Sequence, residues 1–175
     1  MRFGLARSSM VFTMKRAFSG LVLLLAVTAL AGQGPTPKAA FEQLKKLVGT
    51  WEETTADGGN KVIYKLTGAG STLIETQMPG TPMEMVSVYH MDGPNLMMTH
   101  YCAAGNQPTM KYKPGKDAKS LNFDFVRGSN MKPTDNHIHA ARIRILSADR
   151  LESDWIGYAN GKAAGTVTFK LHRAK

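Results

Sequence analysis

Three histidines, one cysteine and a run of methionines are the side chains here best suited to ligate a metal or move a proton. His137 and His139 are alternate residues, so on an extended strand both imidazoles leave the same face. Two rings on one face can reach one cation. A third, from His100, would complete a three-histidine zinc set with a position open for water. Against this stands the commoner outcome, a histidine satisfied by hydrogen bonds inside a folded core. No inward-facing carboxylate can be assigned to assist a hydrolytic metal. A softer metal is the other option, because six methionines fall between Met78 and Met98, with His100 and Cys102 just beyond. Thioether and thiol ligands select Cu(I), but methionine is also the ordinary filler of adaptable apolar cores.

Cys102 as a nucleophile would need a depressed pKa and a neighbouring base. His100, two residues away on the same face of a strand, could serve. The plainer reading of Cys102 is a small buried apolar residue. Other enzyme signatures are missing: there is no G-x-S-x-G, no H-E-x-x-H, no phosphate loop and no dinucleotide fingerprint. The balance therefore leans away from an enzyme and towards a binding protein.

The elements that must position these residues read as strands. Thr36-Pro37 supplies an N-cap and an N1 proline, and Phe41, Leu44, Lys45 and Val48 recur at helical spacing, predicting one short helix over 37–47. From Gly49 onward the period becomes two, with turn signals about every eight to twelve residues. Strands are expected at 50–56, 61–67, 71–78, 83–91, 96–102, 109–113, 120–127, 137–146, 151–158 and 166–173. About ten antiparallel strands joined mostly by tight turns make an all-β, up-and-down arrangement. Closing it into a single barrel removes the exposed edges, and an open sandwich is the alternative.

Alternation assigns the faces. His137, His139, Ala141, Ile143 and Ile145 share the inward face of their strand, with Arg142 and Arg144 opposite. Leu151, Ser153 and Trp155 face in, as do Leu121, Phe123 and Phe125, and Val167, Phe169 and Leu171. The turn at Gly93-Pro94 pairs Met91 with Leu96. Ser87 then lies opposite His100, and Met85, Ser87, Tyr89, Met98, His100 and Cys102 occupy one face, taken as the inner one.

The N-terminus reads as a leader. Arg2, Arg7, Lys15 and Arg16 precede an apolar run from Leu21 to Ala31 that ends in Ala29-Leu30-Ala31, the parts of a secretory signal peptide cleaved after Ala31. The run is shorter than the roughly 20 residues of a membrane span. Residues 1–31 are thus expected to be removed, 32–36 to be a linker and 37–175 to be the barrel domain, with no membrane span remaining. Losing 31 of the 175 residues leaves 144, enough for one domain with a real core. The leader takes four of the 22 basic residues and none of the 13 acidic ones, so net charge falls from +9 to +5. That surface carries no Lys/Arg run of the kind that grips nucleic acid. The chain is expected to be periplasmic or secreted, and its single cysteine excludes an internal disulfide.

A short helix followed by Gly49-Thr50-Trp51 resembles the G-x-W signature of lipocalins and other calycins. Residues 88–93, residues 99–108, His137-Ile138-His139, and Trp155 followed by Gly161-Lys162 resemble an uncharacterised family of bacterial exported lipocalin-like proteins. The likeness spans nearly all of 41–173. It implies the barrel, with the tryptophan plugging one end beneath the helix, but no activity. The chain departs from haem-binding barrels of the nitrobindin type, since the only candidate for their proximal histidine is His172, which is assigned outward.

The reading is an exported protein that holds a small, largely apolar molecule in a β-barrel, with Tyr89, His100, His137, His139 and Trp155 lining the site. The alternative is a metal-site protein or enzyme using His100, His137 and His139. An interaction module with a solid core is the third reading. No cofactor is named by the sequence.

Overall fold

The computed structural model describes Met1, residues 34–53 and residues 59–175. Apart from Met1, the expected leader lies outside the described residues. The chain folds as one helix, α1 (Pro37–Lys45), and ten strands: β1 (Gly49–Glu53), β2 (Lys61–Thr67), β3 (Thr72–Gln77), β4 (Met85–Asp92), β5 (Asn95–Tyr101), β6 (Gln107–Lys113), β7 (Ser120–Ser129), β8 (His137–Ile145), β9 (Arg150–Ala159) and β10 (Lys162–Arg173). Each strand pairs antiparallel with the next, and β10 returns to β1 through Trp51↔Arg173 and Glu53↔Leu171. The result is a closed up-and-down barrel, as the alternation and the edge argument predict. No described helix is long and apolar enough to cross a membrane.

The helix forms where its signals lie. Thr36 Oγ1 accepts from the Ala39 amide at 3.3 Å, Pro37 occupies the first turn, and Ala40, Phe41 and Leu44 are buried against the barrel. Its last helical residue is Lys45, two short of the expected end, and the chain then turns into β1. The start of the helix is tied down from both sides. Gly34 N donates to Gly115 O at 2.6 Å, and Tyr112 Oη donates to Pro35 O at 2.8 Å.

Beneath the helix, Trp51 is fully buried and its indole N–H donates to Leu47 O at 2.7 Å. The Arg173 guanidinium lies 4.4 Å over the Trp51 ring and donates to the carbonyls of Lys46, Val48 and Ala148. Gly49 has a φ of +127°, and a Cβ there would stand 3.0 Å from Arg173 Nη1. The glycine two residues before the tryptophan is therefore required both by backbone conformation and by the arginine that closes this end.

The β4–β5 hairpin has the expected register, with Met91 opposite Leu96 and Ser87 opposite His100. Ser87, Tyr89, Met98 and His100 are buried, so the face taken as inner is inner. Leu121, Phe123, Ala141, Ile143, Leu151, Ser153, Trp155, Phe169 and Leu171 are buried as assigned.

Two assignments require correction. Val167 is 57% exposed, because the first half of β10 runs past the wall of the barrel. In β8 a bulge between Ile138 and Ala140 breaks the alternation. Ile138 pairs with Gly157 and takes the inward place, while His137 pairs with Tyr158 on the opposite parity and His139 is the extra, unpaired residue. The two histidines therefore do not continue the Ala141–Ile143 face.

Candidate functional site

The helix closes one end of the barrel, and the polar and aromatic residues of interest lie towards the other. There, His100 projects from β5 into the interior and is 1% exposed. Its Nδ1 lies 2.9 Å from Ser87 Oγ, its ring packs 4.8 Å from Trp155, and its Nε2 has no hydrogen-bond partner. Burial pushes its pKa down to about 4, so the ring is neutral at physiological pH. Trp155, from β9, donates its indole N–H to Ser153 Oγ at 3.3 Å.

Beside them runs a second polar group that alternation alone did not reveal. Glu75 of β3 points into the barrel and is buried. Gln77 Nε2 donates to its Oε1 at 2.9 Å, and Tyr89 Oη donates to its Oε2 at 2.5 Å. Burial pushes the carboxyl pKa up, and the hydrogen bonds from Gln77 and Tyr89 partly offset it. Tyr64 is buried nearby and its phenol is raised, first by burial and then by the Glu75 charge. Its hydroxyl has no partner at hydrogen-bonding geometry, so we read its interaction with Glu75 as electrostatic. The inward carboxylate was missed because seven residues separate β3 from β4. No tight turn transferred the inner face of Ser87 to its strand partner, Glu75.

His137 and His139 sit at the rim instead, where β7 and β8 separate. His137 Nε2 lies 2.9 Å from His139 Nδ1, and His137 Nδ1 lies 2.8 Å from Asp135 O. The His139 ring is stacked between Phe125 at 4.8 Å and Tyr158 at 3.8 Å. Of the five residues singled out from sequence, Tyr89, His100 and Trp155 thus lie together inside the barrel, while His137 and His139 pair at the rim, where the buried His137 also lines the mouth cavity beside Trp155. Among the described residues no three His, Cys, Asp or Glu side chains are grouped to hold a metal ion, so the three-histidine centre does not assemble. The methionines are dispersed as well: Met98 and Met110 are paired in the core, Met97 faces outward opposite Lys111, and Met83 is exposed.

A cavity of about 440 Å³ opens at the mouth. Cys102, Ile138, Trp155, Gly157, Tyr158 and Val167 are among its walls. His100 lies just below it, since Cys102 is its neighbour along the strand face and Trp155 is its ring neighbour. The lining is mostly apolar and contains no charged side chain, which suits an uncharged, oily molecule. Other depressions flank the helix at the closed end. One lies along Gln43, Leu47 and Arg173, the other between the helix and the β4–β5 turn.

No protein-family signature matches the chain, and no curated protein matches it. Among solved structures, the crystal structure of Rv2717c from M. tuberculosis is similar over 78% of this chain and 98% of that one, at 17% identity and a TM-score of 0.49.

Proposed function

We propose that this chain is an exported, lipocalin-like binding protein that takes a small, largely apolar molecule at the open mouth of its barrel. The polar group of that molecule is met by His100. The observation that carries the reading is the Nε2 of His100, buried without a partner in a ring packed against Trp155, itself a wall of an apolar cavity. A buried polar atom left unpaired costs on the order of 1–3 kcal/mol, and a ligand that hydrogen-bonds to it would recover that cost. Trp155 supplies flat apolar area between this atom and the cavity. Tyr89 acts one step back, holding Glu75 and keeping the inner wall ordered. Export is supported by the leader-like N-terminus of the sequence.

Native mass spectrometry of protein recovered from its own exported fraction tests the reading. A single small organic adduct that is lost from a Trp155→Ala, His100→Ala double variant is expected. A bare mass for the wild-type chain, or an adduct the double variant keeps, would overturn the site. N-terminal sequencing of the same sample is expected to begin near Gly32, and a retained leader would contradict export.

A further inference from the structure

Four inward residues stand side by side on four consecutive strands. Tyr64 of β2 pairs with Glu75 of β3, Glu75 with Ser87 of β4, and Ser87 with His100 of β5. All four are buried, so the row forms a polar belt inside an otherwise apolar barrel. Tyr89 belongs to the next row, yet its hydroxyl reaches back to the belt, since it bonds Glu75, the residue directly opposite Ser87. A phenol, a serine hydroxyl and an imidazole therefore follow one another between the Glu75 carboxyl and the orphaned Nε2 of His100. Each hydroxyl has one proton to give, so a proton committed at one end settles the next.

The order of donors runs from the carboxyl end. Both oxygens of Glu75 accept, Oε1 from Gln77 Nε2 at 2.9 Å and Oε2 from Tyr89 Oη at 2.5 Å. Burial raises the Glu75 carboxyl, while these two donors hold its ionised form. The bond to Glu75 uses the only proton Tyr89 has and leaves its oxygen as an acceptor. Ser87 is the hydroxyl beside it. Burial and then the Glu75 charge push the Tyr89 phenol up, and Ser87 pulls it part of the way back, as a hydroxyl that donates to the phenol oxygen does. With its one proton directed to Tyr89, Ser87 Oγ can only accept from His100 Nδ1, 2.9 Å away. The His100 ring is neutral, so Nδ1 carries its single proton and Nε2 is a bare lone pair.

We propose that this relay fixes His100 as the Nδ1–H tautomer and thereby makes the mouth selective for an apolar alcohol over the matching ketone. The inference rests on the mouth being the ligand site, and adds which polar group the ligand carries. A lone pair at Nε2 needs a hydrogen from the ligand. An alcohol brings one. A ketone, ester or ether brings only lone pairs, which would face another. Ammonium and carboxylate groups are disfavoured by the cavity, whose lining holds no charged side chain to pair with them. Ser87, Tyr89 and Glu75 are positioning residues that act through His100.

Borneol and camphor are the probes, since they share one carbon skeleton and differ only in a hydroxyl against a carbonyl. Displacement of the uncharged apolar dye N-phenyl-1-naphthylamine from the full chain at pH 8, where the carboxylate form of Glu75 is favoured, measures both affinities. Wild type is expected to hold borneol about tenfold more tightly, as one hydrogen bond allows. Glu75→Gln keeps the oxygen that takes the Gln77 donor but sets an N–H against Tyr89, so Tyr89, Ser87 and His100 reverse and Nε2 gains the hydrogen. Camphor affinity is then expected to rise until the two probes bind equally, a gain that damaged packing would not produce. Ser87→Ala, which cuts the relay, is expected to erase the preference as well. Long-range nitrogen–proton NMR of the His100 ring, without any ligand, is expected to show hydrogen on Nδ1 in wild type and on Nε2 in Glu75→Gln. Hydrogen on Nε2 in wild type, or a ring unchanged by Glu75→Gln, would overturn the relay even where both probes bind. Equal binding by wild type, or a preference for camphor, would overturn the selectivity. If neither probe displaces the dye while the NMR result holds, the mouth reading is what fails, and the selectivity falls with it.

Discussion

At the helix end of the barrel, Trp51 is fully buried, Arg173 lies over its ring and donates to three carbonyls, and Phe41 and Leu44 press down from α1. At the other end, Val167 on β10 is 57% exposed, β7 and β8 part, and His100 holds a nitrogen with no partner. The same ten-stranded wall is thus a packed plug at one end and an unfinished surface at the other. Dense apolar packing with satisfied polar atoms stabilises a fold. Unpaired polar atoms and exposed apolar side chains cost free energy, and they concentrate where something else is to be bound. Stability should therefore depend on the first end and binding on the second.

The largest effect should come from the plug. Trp51→Ala is expected to cost about 3–5 kcal/mol in denaturant unfolding, as a large core truncation does. A loss below about 1 kcal/mol would erase the contrast between the ends.

A second test uses acid. Unfolded histidine has a pKa of 6.5, whereas folded His100 has one of about 4. The folded state resists a proton that the unfolded state accepts, so this contribution to stability is full above pH 6.5 and lost as pH falls towards 4. The expected loss is on the order of 3 kcal/mol. Glu75 works in the opposite direction. Its raised carboxyl favours the folded state below its unfolded value of 4.5, and that advantage disappears as pH rises through the folded value. Thermal unfolding across pH 4 to 7 is expected to show a flatter decline for His100→Gln. Glu75→Gln is expected to be more stable than wild type at pH 7.

Smaller effects sharpen the boundary. Arg173→Met keeps the apolar stem over Trp51 but leaves the carbonyls of Lys46, Val48 and Ala148 without their donor, for an expected loss of about 1–2 kcal/mol. Val167→Ser, on the exposed lip of the mouth, is expected to change stability by less than about 0.5 kcal/mol. It should still weaken ligand capture at the mouth, as read by dye titration.

Much of the closed end was legible in the residues themselves. Gly49-Thr50-Trp51 after a capped amphipathic helix specifies the plug, and the tight turn at Gly93 sets the register that carries His100 inward. The open end was harder to read for two physical reasons. A bulge adds one residue to a strand and moves every side chain beyond it to the other face. Nothing in His137-Ile138-His139-Ala140 announces that extra residue, so both histidines were assigned inward. Glu75 was hidden differently. Its strand reads Thr-Leu-Ile-Glu-Thr-Gln, and neither parity is clearly apolar. The long connection to β4 left its face open until the pairing with Ser87 was seen.

The central claim, that the mouth and not the packed end takes the ligand, can be tested with the two tryptophans alone, since the chain contains no others. Trp51→Phe leaves Trp155 as the reporter at the mouth, and Trp155→Phe leaves Trp51 as the reporter in the plug. Both proteins would be titrated with the uncharged apolar dye N-phenyl-1-naphthylamine while tryptophan emission is followed. The account predicts saturable quenching of Trp155, with the dye becoming bright at the same midpoint, and no saturable change at Trp51. Quenching at Trp51 with Trp155 silent, or no saturable response from either, would contradict it.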